Sequence, residues 1–168
     1  MPSAPTTSSD RLTERELGAW AGLMRTHAAL TRALDADLET AHGLPLTSFE
    51  VLMHLADEDG QRLRMSDLAD RVLLSRSGLT RLVDRLESQG LLERATCKSD
   101  ARGSYAVLTA AGAERLRAAR ATHRAGVRER FLTRLTEEEQ DLLAGVFERL
   151  IGPRLDGDDM CDSINNKT

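Results

Sequence analysis

Arg76, Ser77, Thr80, Arg81 and Arg85 lie close together in the segment 75–90 and have side chains suited to one kind of chemistry. A guanidinium group pairs with both major-groove acceptors of a guanine or neutralises a phosphate, and small hydroxyls reach base edges. Between them Leu79, Leu82, Val83 and Leu86 recur at helical spacing, so one face of a helix is buried and the arginines and hydroxyls face outward. Ser75 is placed to cap this helix and is counted with the DNA-contacting residues, and Gly90 is placed to close the helix. A helix anchored on one side and basic on the other fits the DNA major groove. Arg81 is the first candidate for a base contact, with Ser77 and Thr80 for base edges or a thymine methyl group. Arg76 suits bases or phosphate. Arg85, one turn on, reads either as a phosphate contact or as an intrahelical partner of Asp84, Glu87 or Ser88.

Other chemistries find less material. His27, His42, His54 and His123 lack metal-ligand spacing, so no metal is expected, and no cofactor either. There is no glycine-rich phosphate loop, nucleophile motif or paired carboxylate set in a pocket, which argues against an enzyme. Cys97 beside Lys98 could form a thiolate that senses oxidants, or could be an inert small side chain. Cys161 has no evident role, and the two cysteines make no disulfide framework.

The elements around the basic helix follow from capping and periodicity. Thr13-x-x-Glu16 opens a long helix that Gly43 and Pro45 end. Trp20, Leu23, Met24, His27, Leu30, Leu34 and Leu38 form its stripe, long enough to serve a dimer interface. Thr47 and Glu50 are expected to form a second capping box, and Ser66 to cap a third helix. Residues 62–64 read as a very short strand. The third helix and the one after Ser75 make a helix-turn-helix. Residues 91–96 and 104–108 read as a hairpin with a seven-residue tip, 97–103, which forms a wing. Thr109 caps a helix to about Arg134, and Thr136-x-x-Glu139 opens the last, to about Arg154. The expected organisation is a disordered leader (1–11), one domain (12–155) and a disordered tail (156–168). Within the domain, 12–46 and 109–155 are dimerisation helices and 47–108 is the winged helix-turn-helix. The fold class is mainly α with a small β-hairpin wing.

The composition agrees. Apolar content is 40% but aromatic content only 3%, a Leu- and Ala-rich balance that favours helix. No apolar run reaches the roughly 18 residues of a membrane span, and no export signal is present, so a cytoplasmic protein is expected. Net charge is −4, unevenly spread. Residues 1–61 carry four Lys/Arg against ten Asp/Glu, residues 62–105 nine against six, and residues 106–168 ten against eleven. Positive charge therefore gathers around the outward-facing arginines, as contact with phosphate requires, although an ordinary solvated surface would look similar. Arg117, Arg120, Arg124 and Arg128 also share a helical face. They are read as a solvated face paired with the acidic first helices, or as contacts to DNA flanks.

Three stretches give this chain a family likeness. They are Met65-Ser-Asp-Leu-Ala-Asp-Arg-Val72, the segment Ser75 to Leu92, and Ser99-Asp-Ala-Arg-Gly103 with Leu108-Thr-Ala-Ala-Gly112. Over roughly residues 12–152 the chain resembles the MarR family of bacterial transcriptional regulators. The resemblance implies a homodimer formed by the first and last helices, with two winged helices facing a pseudo-palindromic operator in double-stranded DNA. It also implies a repressor released by a small aromatic or anionic effector. The family pattern Asp-x-Arg, here Asp100 and Arg102, implies an arginine in the minor groove with the aspartate holding an arginine in place. Many relatives carry a second basic residue where this chain has Ala101; Lys98 partly compensates. Effectors of the family bind between the dimerisation helices and the winged helix. That makes Trp20, Met24, His27, Phe49 and Met53 candidate pocket residues, or equally the core between helices. The alternatives are a redox-responsive regulator using Cys97 and a winged-helix protein-interaction module; the latter predicts a neutral or apolar outer face on the basic helix.

Overall fold

The computed structural model describes residues 11–72, 74–97 and 100–151, of which 96–97 and 100–103 are described by their backbone alone. The expected tail, nearly all of the expected leader, Cys161 and Lys98 lie outside the described residues, as do the side chains of Cys97, Asp100 and Arg102.

Helix α1 (Glu14–His42) starts on a reciprocal cap: the Thr13 hydroxyl accepts the Glu16 N–H at 3.3 Å, and the Glu16 carboxylate accepts the Thr13 N–H at 2.7 Å. It stops at Gly43, whose φ of 57° is left-handed. Helix α2 (Leu46–Asp57) begins earlier than the expected box at Thr47 and Glu50, which does not form. Pro45 stands at the N-cap with φ near the helical value, and Asp35 of α1 accepts the Leu46 N–H at 2.8 Å. The orphan donor at the start of α2 is thus met by another helix.

A 3-10 turn (Asp59–Gln61) leads to strand β1 (Arg62–Arg64), helix α3 (Met65–Arg71) and helix α4 (Arg76–Ser88). Ser66 does not cap α3: Arg64 holds the N-cap position, and the Ser66 hydroxyl bonds to Asp67 at 2.9 Å. Strands β2 (Leu92–Cys97) and β3 (Asp100–Leu108) pair antiparallel, and β1 adds to the far edge of β3, giving the order β1-β3-β2. The hairpin is longer than expected. Cys97 faces Asp100 across the strands, so 100–103 belong to β3 and only 98–99 separate the two strands; the register shifts between Thr96 and Cys97. Helix α5 (Ala110–Arg130) is capped by Thr109, whose hydroxyl accepts the Gly112 N–H at 3.0 Å. It ends before Arg134 because Phe131 leaves helical geometry, and a 3-10 turn (Leu132–Arg134) follows. Helix α6 (Glu137–Ile151) opens on the expected Thr136/Glu139 box.

The core lies under the winged unit. Phe49, Leu52 and Leu55 of α2, Leu68 of α3, Leu79, Val83 and Leu86 of α4, and Leu92 and Ala106 of the sheet are sealed from solvent. Each large side chain among them contributes roughly 1.5–3 kcal/mol. Only the second half of α1 joins this core, through Leu34 and Leu38. There α5 crosses it, held by Arg130 to Asp37 at 2.6 Å and His42 to Thr122 at 2.8 Å. Trp20, Leu23 and Met24 are exposed instead, so within one chain they are not core. Arg120 departs from the expected solvated stripe: it is buried, 3.5 Å from Asp57 of α2, while Arg117 pairs with Glu114 on its own helix. Among the described residues no helix is long and apolar enough to cross a membrane.

Candidate nucleic-acid interface

Helix α4 is divided as its sequence requires. Leu79, Leu82, Val83 and Leu86 are buried, and Arg76, Ser77, Thr80, Arg81 and Arg85 are exposed. Ser75 caps the helix by accepting the Gly78 N–H at 3.1 Å, and its hydroxyl lies 3.3 Å from that of Ser77. The Thr80 hydroxyl donates to the Arg76 carbonyl at 2.8 Å, so it meets a ligand as an acceptor beside its own methyl group. A cleft of 250 Å³ lined by Met65, Ser66, Arg76, Leu79 and Thr80 separates the start of α4 from α3.

Of the three partners foreseen for Arg85 on its own helix only Ser88 bonds to it, its hydroxyl donating to the Arg85 carbonyl at 2.7 Å; the guanidinium goes elsewhere. Its Nη2 donates to the hydroxyl of buried Ser48 on α2 at 2.9 Å, fastening the far end of α4 to the core. The acids of α4 face Arg94 of β2 instead: Nη1 lies 2.6 Å from Asp84 and 3.0 Å from Glu87. Neither Ser48 nor Arg94 stood out in the sequence, because their roles depend on contacts between elements 37 and 7 residues apart.

The sheet carries a basic group of its own. The Arg62 and Arg64 guanidinium carbons lie 5.8 and 5.4 Å from the Tyr105 ring centre, and Arg64 Nε donates to the Tyr105 hydroxyl at 2.9 Å. At the base of the wing Gly90 adopts φ 71°, which turns the chain from α4 into β2.

The five candidate pocket residues are not gathered around one opening. Trp20 lines a groove of 700 Å³ with Leu23, Phe131, Leu143, Phe147 and Leu150; Met24, His27, Phe49 and Met53 do not line it. Phe49 and Met53 are in the sealed core. Phe49 stacks on His123 of α5, with ring centres 4.7 Å apart. Burial lowers the His123 pKa, and its Nδ1 is the buried side-chain polar atom without a hydrogen-bond partner among the described residues. Nearby in sequence, Glu50 has its carboxyl pushed up by burial, an effect the charge of His27 opposes.

A family model described as MarR family matches residues 42–103. The HTH-type transcriptional regulator MhqR of Bacillus subtilis (strain 168) is 29% identical over 139 residues, covering 83% of this chain and 93% of that protein. Among solved structures, Sco3205 of Streptomyces coelicolor, a MarR family transcriptional regulator crystallised in complex with DNA, is 34% identical with a TM-score of 0.80. That match covers 87% of this chain and 91% of Sco3205. AbsC of the same organism, also a MarR family transcriptional regulator, is 35% identical with a TM-score of 0.79, covering 85% of this chain and 96% of AbsC. These relatives are transcriptional regulators, not enzymes.

Proposed function

The chain belongs to the MarR family of transcriptional regulators, and from that premise we propose that it acts as a homodimeric repressor on a pseudo-palindromic operator. The observation that carries this reading is the outward row of Arg76, Ser77, Thr80, Arg81 and Arg85 on a helix whose opposite stripe is sealed. In it α4 enters the major groove. Arg81 pairs with a guanine, Ser77 and Thr80 touch neighbouring edges, and Arg76 meets bases or phosphate. Ser75 acts chiefly as the cap that sets the helix entry. Arg85, tied to Ser48, reaches a phosphate only with its remaining donors. Arg102, supported by Asp100 and flanked by Lys98, enters the minor groove from the wing.

The dimer is supported by apolar surface that one chain leaves open: Leu17, Trp20, Leu23 and Met24 on α1, and Leu142, Leu150 and Ile151 on α6. A second copy covering these helices would set two α4 helices against half-sites roughly 34–36 Å apart. In this reading residues 12–46 and 109–155 form the dimer and 47–108 read DNA. A small aromatic or anionic effector would act at the junction of α1, α2 and α5, near His27, Phe49 and His123. An aromatic acid held there would raise the melting temperature and weaken operator binding.

The test is a binding titration with duplex DNA from upstream of the gene over a range of salt. Affinity should fall steeply as salt rises. Arg81→Ala should lose about 1–3 kcal/mol per half-site and relax base preference at one position. Unchanged affinity and preference in that variant would remove Arg81 from the reading.

A further inference from the structure

Arg94 of β2 makes several polar contacts to α4. It faces Ala106 across the strands, in the row of Leu63 and Ala106, both buried. Alternation along the strands puts this row on the core side of the sheet, with Arg62, Arg64 and Tyr105 on the opposite face. From there the guanidinium reaches three positions on α4. Nη1 lies 2.6 Å from Asp84 Oδ1 and 3.0 Å from Glu87 Oε2, and Nη2 donates to the Thr80 carbonyl at 3.4 Å. The Arg94 backbone N–H also donates to Glu87 Oε1 at 3.2 Å. Residues 80, 84 and 87 follow one another up a single stripe of the helix. That stripe borders the face carrying Ser77, Arg81 and Arg85.

Two physical consequences follow. The covalent link between α4 and β2 is the short turn of Gln89, Gly90 and Leu91, which fixes the strand's origin but leaves its angle to the helix to side-chain contacts. A planar guanidinium gripping two carboxylates and a carbonyl at once fixes that angle as a single ammonium would not. Asp84 and Glu87 are also the acids of α4, and both are partly exposed beside the surface that would approach phosphate. Arg94 offsets their charge where it would otherwise repel DNA.

We propose that Arg94 is a positioning residue for DNA recognition, clamping the wing to α4 through Thr80, Asp84 and Glu87 so that both engage DNA in one register. The inference rests on the DNA-binding reading above.

The probe is a duplex selected by the wild-type protein from a random-sequence pool, and the measurement is a double-mutant cycle of Arg94→Gln with Arg102→Ala. Arg94→Gln should lower affinity on the order of tenfold. In its background Arg102→Ala should cost almost nothing further, because an unclamped wing no longer places that side chain. Base preference at the position read by Arg81 should persist, and Arg94→Lys should restore only part of the loss. Additive losses from Arg94→Gln and Arg102→Ala would overturn the proposal, since a direct phosphate contact or a general loss of stability would add. If Arg94→Gln does not fold, the same cycle run with the Asp84→Asn/Glu87→Gln pair opens the clamp from the helix side and carries the same two outcomes. Failure of the wild-type protein to enrich any duplex would overturn the DNA-binding reading and this inference with it. Enrichment with additive losses would overturn this inference alone.

Discussion

Replacing Gly112 with alanine tests how tightly α5 is seated on the base of the wing. A Cβ at this position would lie 1.9 Å from the Leu91 carbonyl oxygen, 2.9 Å from its carbon and 2.8 Å from Leu108 Cδ1. The leucine methyl can rotate away. The carbonyl cannot, because it accepts the Thr109 N–H at 3.3 Å and adjoins the Leu92–Leu108 pair of the sheet. The oxygen is about 1.5 Å inside ordinary contact, so the first turn of α5 must lift off. Lifting it strains the bond from the Thr109 hydroxyl to the Gly90 carbonyl, 2.7 Å, and the Thr109 N–H bond as well. Overpacking of this kind costs about 1–3 kcal/mol, and two weakened hydrogen bonds add about 1 kcal/mol each at most. The expected loss is therefore about 3–4 kcal/mol, or roughly 10 °C in melting temperature for a chain of this size. Thermal denaturation followed by circular dichroism at fixed protein concentration measures it. Gly145→Ala on α6 is the control, because its Cβ would meet only the flexible end of Arg149 at 3.8 Å. That variant should be neutral or gain up to about 1 kcal/mol from helix propensity. A Gly112→Ala protein melting within 2–3 °C (roughly 1 kcal/mol) of wild type would refute the argument from this contact.

Four other perturbations probe separate parts of the molecule. Arg120→Ala removes the buried partner of Asp57 and should cost about 3 kcal/mol by urea denaturation, with Arg120→Met/Asp57→Asn recovering much of it; a loss within ordinary surface scatter would mean the pair is not buried in solution. Burial depresses the His123 pKa, so between that value and the unfolded one near 6.5 the unfolded chain binds more protons and stability rises with pH. The stabilisation should be complete above about pH 6.5 and decline below it, and His123→Phe should flatten the melting-temperature profile between pH 7.5 and 5.5; an unchanged slope would assign the acid sensitivity elsewhere. Glu50 acts with the opposite sign: its raised pKa favours the folded state at low pH and costs stability as pH climbs through it, so Glu50→Gln should help more at pH 7.5 than at pH 4.5. Leu150→Glu places a charge on the open face of α6 and should shift sedimentation toward the monomer and weaken operator binding; a wild-type protein that sediments as a monomer at micromolar concentration would remove the dimer from the proposed function.

What the sequence revealed was local. The caps at Thr13, Ser75, Thr109 and Thr136 and the leucine stripe of α4 depend on residues within one or two turns, and all are present in the structure. The misreadings came where a distant element supplied the partner. Thr47 had the right neighbours for a capping box, but Asp35, eleven residues before Leu46, reaches the helix start first. The arginine stripe of α5 fixed which residues share a face but not where α2 crosses it, and that crossing buries Arg120. On α4 the outward residues were legible by periodicity. That Arg85 turns to Ser48, leaving Asp84 and Glu87 to Arg94, was not, because helical spacing ranks neighbours along one helix and says nothing of a strand beside it.

The open face of α1 has a spectroscopic consequence. Trp20 is the single tryptophan of the chain, and in one protomer its side chain is 57% exposed at the mouth of the α1/α6 groove. Its emission therefore comes from one site, well away from α4 and the wing in the chain. A lone protomer should fluoresce as a hydrated indole, and a partner closing over the groove should shift the maximum to the blue. Dilution would thus read assembly directly, without a label, while DNA added to an assembled protein should leave the colour nearly unchanged.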